Sequence, residues 1–449
     1  MLQRFTKRRK LLTTVMLLCF CVFTNNTMAQ TWDTGVGHNG APLTANLTGS
    51  GNNRTLTISG NGLMADFQVS SGGVPWKDYL TNIATVVINS GVLSIGDYAF
   101  SGCTELKTVS FVNVCDVSII GHRSFEKCTS LSSIEIPNSV IEIEGEAFKN
   151  CTALKTVKII EGNKGLRFSV YGSRMSGMYY DWFENCPIQT LELKRQYTHD
   201  GGILFSRNNY LQVLTVGKSV TTIGSSDFAD CSNLTNVTLE DGTDDLQFGE
   251  LYLDAETVFS GSPINTLYFG RNIYVSRTHN SPFLNKTTLK TLIIGGNIRA
   301  IDFQGCSSLT TITSQNPTPP TTDNNSFYGI NKETCKVNVP RGTQCAYKSA
   351  NQWKEFANIV DDTNTACANG INEVSANKLQ IFPNPAKDDI FIKSDLQIEK
   401  VEICSLTGSL LKQENNFNEK ISVSALSEGI YLLKVYTDKG LAVSKIVKE

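Results

Sequence analysis

Apolar residues return along this chain in two patterns that follow one another. In Leu131, Ile134 and Ile136 they alternate with Ser133 and Glu135, the period-two spacing of a strand with one buried face. Just before it runs a second pattern, seen whole in IGHRSFEKCTSLSSIEIP (120–137), where Phe125 and Cys128 must point inward for want of another apolar partner. The unit returns as IGDYAFSGCTELKTVSF (95–111), IEGEAFKNCTALKTVKI (143–159) and IGSSDFADCSNLTNVTL (223–239). One such unit cannot shield its own apolar side chains, so units must stack, each completing the burial of its neighbour. The strand pattern starts at Ile83, Leu106, Leu131, Leu154, Ile188, Leu211, Leu234, Ile264, Leu289, Leu309 and Thr334, with steps of mostly about 20 to 25 residues.

That period predicts a mainly β fold: a right-handed leucine-rich-repeat β-solenoid of about eleven coils. Its interior column reads Phe100, Phe125, Phe148, Phe183, Phe205, Phe228, Phe259, Phe283, Phe303 and Phe327, a stacked aromatic spine in offset or edge-to-face contact. Cys103, Cys128, Cys151, Cys186, Cys231 and Cys306 each follow the Phe by three residues and read as a buried column of small apolar side chains, free rather than bridged. Two steps are long, with insertions over 164–182 and 240–254, and insertions in solenoids map to loops that often bind. Residues 30–82 lack the repeat and read as an N-terminal cap, with Trp76 and Tyr79 as the alternative of a sugar-stacking pair. AYKSANQWKEF (346–356) sets Tyr347, Ala350, Trp353 and Phe356 on one helical face and reads as the cap closing the solenoid, 83–362, at its C-terminal end.

The recurring A-F-x-x-C-x-x-L-x-x-V/I-x-I/L resembles the BspA-type (Treponema pallidum-like) leucine-rich repeats of bacterial surface proteins, over roughly residues 54–362. That resemblance implies an extracellular binding or adhesion protein without a catalytic site. After a polar linker (363–378), residues 379–449 change to strongly alternating segments split by Gly, Asn and Asp turns, which predicts a small immunoglobulin-like antiparallel β-sandwich. Its FPNP (Phe382, Pro383, Asn384, Pro385), SLTG ending at Gly408, LSEGIY with Gly429 and Tyr431, and KIVK tail with Lys445 and Lys448 resemble the type A C-terminal sorting domain of the type IX secretion system of Bacteroidetes. The resemblance implies passage across the outer membrane by that machinery and release or attachment at the cell surface.

The start of the chain agrees with export. Arg4, Lys7, Arg8, Arg9 and Lys10 precede the apolar run 11–23 and a cleavage site at Thr27, Met28 and Ala29, so 1–29 reads as a signal peptide, too short in its apolar run to span a membrane. No other stretch approaches spanning length, and the mature chain is expected to carry no transmembrane helix. A formal net charge of -2 gives no basic footprint for nucleic acid. No C-x-x-C pair occurs and the four His are scattered, so neither metal nor cofactor is expected, and the acidic Asp241, Asp244, Asp245 and Glu250 read as a solvated loop. Cys335, Cys345 and Cys367 stand near the solenoid's end, where a bridge is conceivable but not expected.

With no nucleophile, zinc or phosphate-loop pattern in the chain, an enzyme is not expected and recognition falls to surfaces. Candidate anchors are the insertion aromatics Tyr171, Tyr179, Tyr180 and Trp182, with Tyr252, Tyr268 and Tyr274. The strand face offers two outward columns. One is a hydroxyl column of Thr85, Thr108, Ser133, Thr156, Thr190, Thr266, Thr291 and Thr311, broken by Val213 and Asn236; the other is mixed, from Ser110 to Asn338. Expected partners are a host extracellular matrix protein, mucin or another bacterial surface; the alternatives are a glycan-capture module and an inert surface spacer.

Overall fold

The computed structural model describes residues 29–36, 42–68, 73–112, 115–170, 181–200, 204–249, 257–274, 281–361, 379–415, 417–438 and 440–449. The expected linker, Cys367 and all but the last residue of the expected signal peptide lie outside them. The chain divides into two compact units, residues 1–265 with 273–282, and 266–272 with 283–449.

In the first unit β1 (Gln30–Val36), β2 (Pro42–Thr48) and β3 (Arg54–Ser59) form an antiparallel meander, and β3 pairs in parallel with the first coil strand, β4 (Ile83–Ile88). β4 pairs in turn with β5 (Thr108–Phe111). The following coils give β6 (Ser133–Ile136), β7 (Thr156–Ile159), β8 (Thr190–Leu193), β9 (Val213–Val216) and β10 (Asn236–Leu239), each parallel to the next. On the return side Ser94–Ile95, Ile119–Ile120, Glu142–Glu144, Leu166–Ser169 and Tyr197–His199 make a second parallel ladder. Trp76 is fully buried, donates its indole N–H to the Ala99 carbonyl at 3.1 Å and stacks 6.1 Å from Phe100, which puts it out of reach of a sugar.

The phenylalanine column is a continuous spine. From Phe100 through Phe125, Phe148, Phe183, Phe205 and Phe228 to Phe259, successive ring centroids lie 5.3 to 5.8 Å apart, and no interplanar angle exceeds 30°. Coils about 4.8 Å apart force this near-parallel, slipped stacking; edge-to-face contacts come instead from Phe168, which meets Phe183 and Phe205 from the side. Two residues after each Phe the backbone turns into the left-handed region, at Gly102, Lys127, Asn150, Asn185, Arg207, Asp230 and Gly261. The turn aims main-chain N–H groups at the next coil, as in Lys127 to the Lys149 carbonyl and Asn150 to that of Glu184. Gly and Asn tolerate this conformation best, and they fill most of the column.

The cysteines of the column are free and buried, but they are not inert filler. From the second coil on, each thiol of the column donates to the carbonyl of the Phe one coil back: Cys128 to Phe100, Cys151 to Phe125, Cys186 to Phe148, Cys231 to Phe205 and Cys306 to Phe283, at 3.0 to 3.3 Å. Where the coil of Phe259 has Ser262 in place of Cys, its hydroxyl donates to the Phe228 carbonyl at 2.7 Å. The expectation of a purely apolar column is therefore corrected: the position carries a small donor.

In the second unit β11 (Thr266–Phe269), β12 (Thr291–Ile294), β13 (Thr311–Ser314), β14 (Lys336–Asn338) and β15 (Asn358–Val360) pair in parallel. Each of the eleven expected positions thus carries a strand, and β15 adds one that the repeat pattern did not announce. The single helix expected over 346–356 is corrected. α1 (Gln344–Ser349) ends at Ala350, and a separate 3-10 turn holds Trp353–Glu355. Tertiary bonds take over where the helix would continue: the Asn351 carbonyl accepts the Thr322 hydroxyl, and Gln352 donates to the Asn324 carbonyl. Tyr347, Trp353 and Phe356 are nonetheless buried, with Phe327 edge-on to Trp353 at 4.9 Å. Cys345 is disulfide-bonded, whereas Cys335 is free.

Residues 379–449 fold as a two-sheet antiparallel sandwich. One sheet has the order β16 (Leu379–Phe382), β17 (Asp389–Ser394), β20 (Lys420–Ser422); the other is β19 (Leu410–Asn415), β18 (Ile398–Cys404), β21 (Gly429–Thr437), β22 (Gly440–Lys448). Ile390, Ile392, Val401, Ile403, Ile421, Leu433, Val435 and Ile446 fill the space between them.

Candidate binding surface on the strand face

Because strand side chains alternate in direction, every coil places two residues outward, and parallel registry lines them up. Thr156 sits beside Ser133 and Thr190, followed by Val213 and Asn236 in the same row. Lys158 sits between Glu135 and Glu192, followed by Thr215 and Thr238. In the second unit the rows are Thr266, Thr291, Thr311, Lys336 and Asn358, and Tyr268, Ile293, Thr313 and Asn338. Val213 apart, the first row is a polar ladder; the second varies in charge and size from coil to coil, as a reading surface must.

Several charges on and just beyond these strands are paired. Lys158 bridges Glu192 at 2.9 Å, Lys194 bridges Glu240 at 3.0 Å and Lys218 bridges Glu161 at 3.2 Å. Such half-exposed pairs fix side-chain positions more than they stabilise the fold.

Of the aromatic anchors read from the sequence, Tyr171, Tyr179, Tyr180 and Tyr252 lie outside the described residues. Trp182 is a correction: its ring is fully buried edge-on to Phe168 at 5.7 Å, and its N–H donates to the Ser169 carbonyl at 3.0 Å. It fills the gap beneath its own insertion, because a buried indole with a main-chain partner satisfies both its apolar body and its polar tip. Tyr268 is half-buried on the strand face and donates its hydroxyl to the Gln315 side chain at 3.3 Å. Tyr274, on the return side of the first unit, is 54 % exposed.

On the return side Asp97 and Glu144 face one another through a shared donor, the His122 main-chain N–H, at 2.8 and 3.2 Å. Burial, then the Asp97 charge, pushes the Glu144 carboxyl up to about 7. Burial also lowers the His122 imidazole from its ordinary value, and its Nδ1 lies 2.6 Å from the Gly145 carbonyl.

In the sandwich the FPNP segment is built into the last strand. The Asn384 side chain donates to the Lys445 carbonyl at 2.9 Å and accepts the Val447 N–H at 2.8 Å, and Ala386 N–H bonds the Val447 carbonyl. Pro383 and Pro385 flank that clamp. Gly408 turns left-handed (φ 90°) between β18 and β19, Gly429 opens β21, the Tyr431 hydroxyl donates to the Ser427 carbonyl at 2.8 Å, and Lys445 and Lys448 sit on β22.

The BspA type leucine rich repeat region matches this chain in six copies, over residues 78–171, 170–250 and 276–359, and the secretion system C-terminal sorting domain matches residues 380–449. No curated protein matches. Among solved structures, the pneumococcal vaccine antigen PcpA is 16 % identical, covering 74 % of this chain and 98 % of its own, with a TM-score of 0.25. A leucine-rich repeat protein of Eubacterium ventriosum is 14 % identical (67 % and 95 % covered, TM-score 0.26), and one of Bacteroides ovatus is 17 % identical (71 % and 98 %, TM-score 0.21).

Proposed function

We propose, from the premise that the chain belongs to the BspA-type leucine-rich-repeat family, that its strand face binds an extracellular protein ligand at the cell surface. The sorting domain indicates export through the type IX secretion system, so the solenoid is delivered to the surface or beyond it. Both matched families are structural and adhesive rather than catalytic. The reading is carried by one observation: the mixed outward row, register-matched strand by strand, offers chemically different side chains at regular spacing on a rigid sheet. A flat parallel sheet whose coils differ only outward can vary its contacts without disturbing its core. Host matrix protein, mucin or a neighbouring bacterium would each present such a ligand.

The test is retention of the exported chain on an array of host extracellular proteins, mucins and purified glycans. Binding to protein ligands supports the reading. Retention on glycans alone would replace it with glycan capture, and no retention at all would leave a surface spacer.

A further inference from the structure

The strand sheet is breached once in the first unit. β5 pairs with β4 and β6 pairs with β7, but no ladder joins β5 to β6. The cause is local. At the end of most other coil strands the next residue donates its N–H to the preceding coil, as Val112 does to the Ile88 carbonyl, Ile160 to Ile136 and Lys194 to Ile159. At that place β6 has Pro137, which has no N–H to give. The step from Leu106 to Leu131 is also two residues longer than the steps on either side, from Ile83 to Leu106 and from Leu131 to Leu154.

The breach is an open groove of about 470 Å³. On its floor Val109 and Phe111 occupy inward positions that are fully buried in neighbouring coils, yet both are partly exposed. The far wall, Pro137 and Asn138, is held rigid from beneath. The fully buried Arg195 donates to both their carbonyls, at 3.1 and 2.9 Å, across the intervening coil. Glu135 stands exposed at the rim and makes no ion pair among the described residues, since Lys158 beside it is engaged by Glu192.

We infer that this groove takes an extended peptide segment with alternating apolar residues and a Lys or Arg between them. The unladdered edges of β5 and β6 leave main-chain N–H and C=O groups beside the groove, which an extended segment laid along it can meet. Val109 and Phe111 take its inward apolar side chains, and Glu135 pairs with the outward cation between them. The inference rests on the strand face being the binding surface and adds which ligand that face reads.

The test uses the exported full-length chain and a fluorescein-labelled hexapeptide, Gly-Thr-Val-Lys-Val-Pro, whose terminal proline blocks self-pairing, with its Lys-to-Glu analogue. Fluorescence anisotropy should give saturable binding of the Lys peptide and at least tenfold weaker binding of the Glu peptide. Glu135→Lys should reverse that order. Absence of saturable binding, or binding that Glu135→Lys does not change, overturns the inference. If array ligands are still retained on the strand face in that case, the groove assignment alone falls and the broader function stands.

Discussion

A cysteine in this chain is chosen for its donor as much as for its bulk. Removing the Cys231 side chain leaves a small void and takes a donor from the Phe205 carbonyl, so Cys231→Ala is expected to cost about 1–2 kcal/mol. Cys231→Ser keeps the donor that Ser262 already supplies one coil on, and should cost less than half as much in urea unfolding. The Phe and Cys columns were legible in the sequence because their period admits only an inward direction. The thiol ladder was not, since polar contacts to main chain leave no mark in a hydrophobic pattern. The Cys345 disulfide was missed for a related reason: its spacing follows no repeat.

Glu144 and His122 give a pH signature at the same scale. Glu144 is raised when folded, so it favours the folded state at low pH, an advantage lost as pH climbs from its unfolded value through about 7. His122 is lowered when folded, so its contribution is present above its unfolded value and lost as pH falls through the folded one. The two oppose each other in mildly acid solution. Glu144→Gln removes only the first, so the variant's thermal midpoint should fall more between pH 7 and pH 5 than the wild type's. Equal falls would mean that Glu144 is not held protonated.

At the level of elements, the left-handed residue after each Phe sets where a coil turns back. Gly305 occupies that column in the second unit at φ 77°, and a Cβ there would collide with Asn285. Gly305→Ala should destabilise by about 1–2 kcal/mol, measured as a lower urea midpoint with unchanged slope. Strand positions were readable because alternation decides them. The helix was not read correctly: aromatic spacing fits a continuous helix over 346–356, but bonds to Asn351 and Gln352 from elsewhere in the unit end it early. Trp182 misled in the same way, since an aromatic on an insertion looks the same in sequence whether it faces solvent or its own loop. In the sandwich, Asn384→Ala strips two main-chain bonds from β22, which should loosen the module and leave more of the chain unexported in a fractionation assay.

For the whole molecule, export and display rest on the sorting domain, and the proposed recognition on a sheet whose rows differ from one coil to the next. The sequence disclosed the stack and its outward rows, but not the breach between β5 and β6, because the loss of a ladder changes hydrogen bonding without changing polarity. The most direct measurement compares adhesion of cells displaying strand-face and return-face variants to whichever ligand the array identifies. Lys158→Glu alters the reading row and Arg167→Glu the exposed return ladder, each at a half-exposed position. Adhesion should fall at least fivefold for Lys158→Glu and remain within twofold for Arg167→Glu, with both proteins folded. Loss with Arg167→Glu and retention with Lys158→Glu would place recognition on the opposite side and contradict the strand-face account.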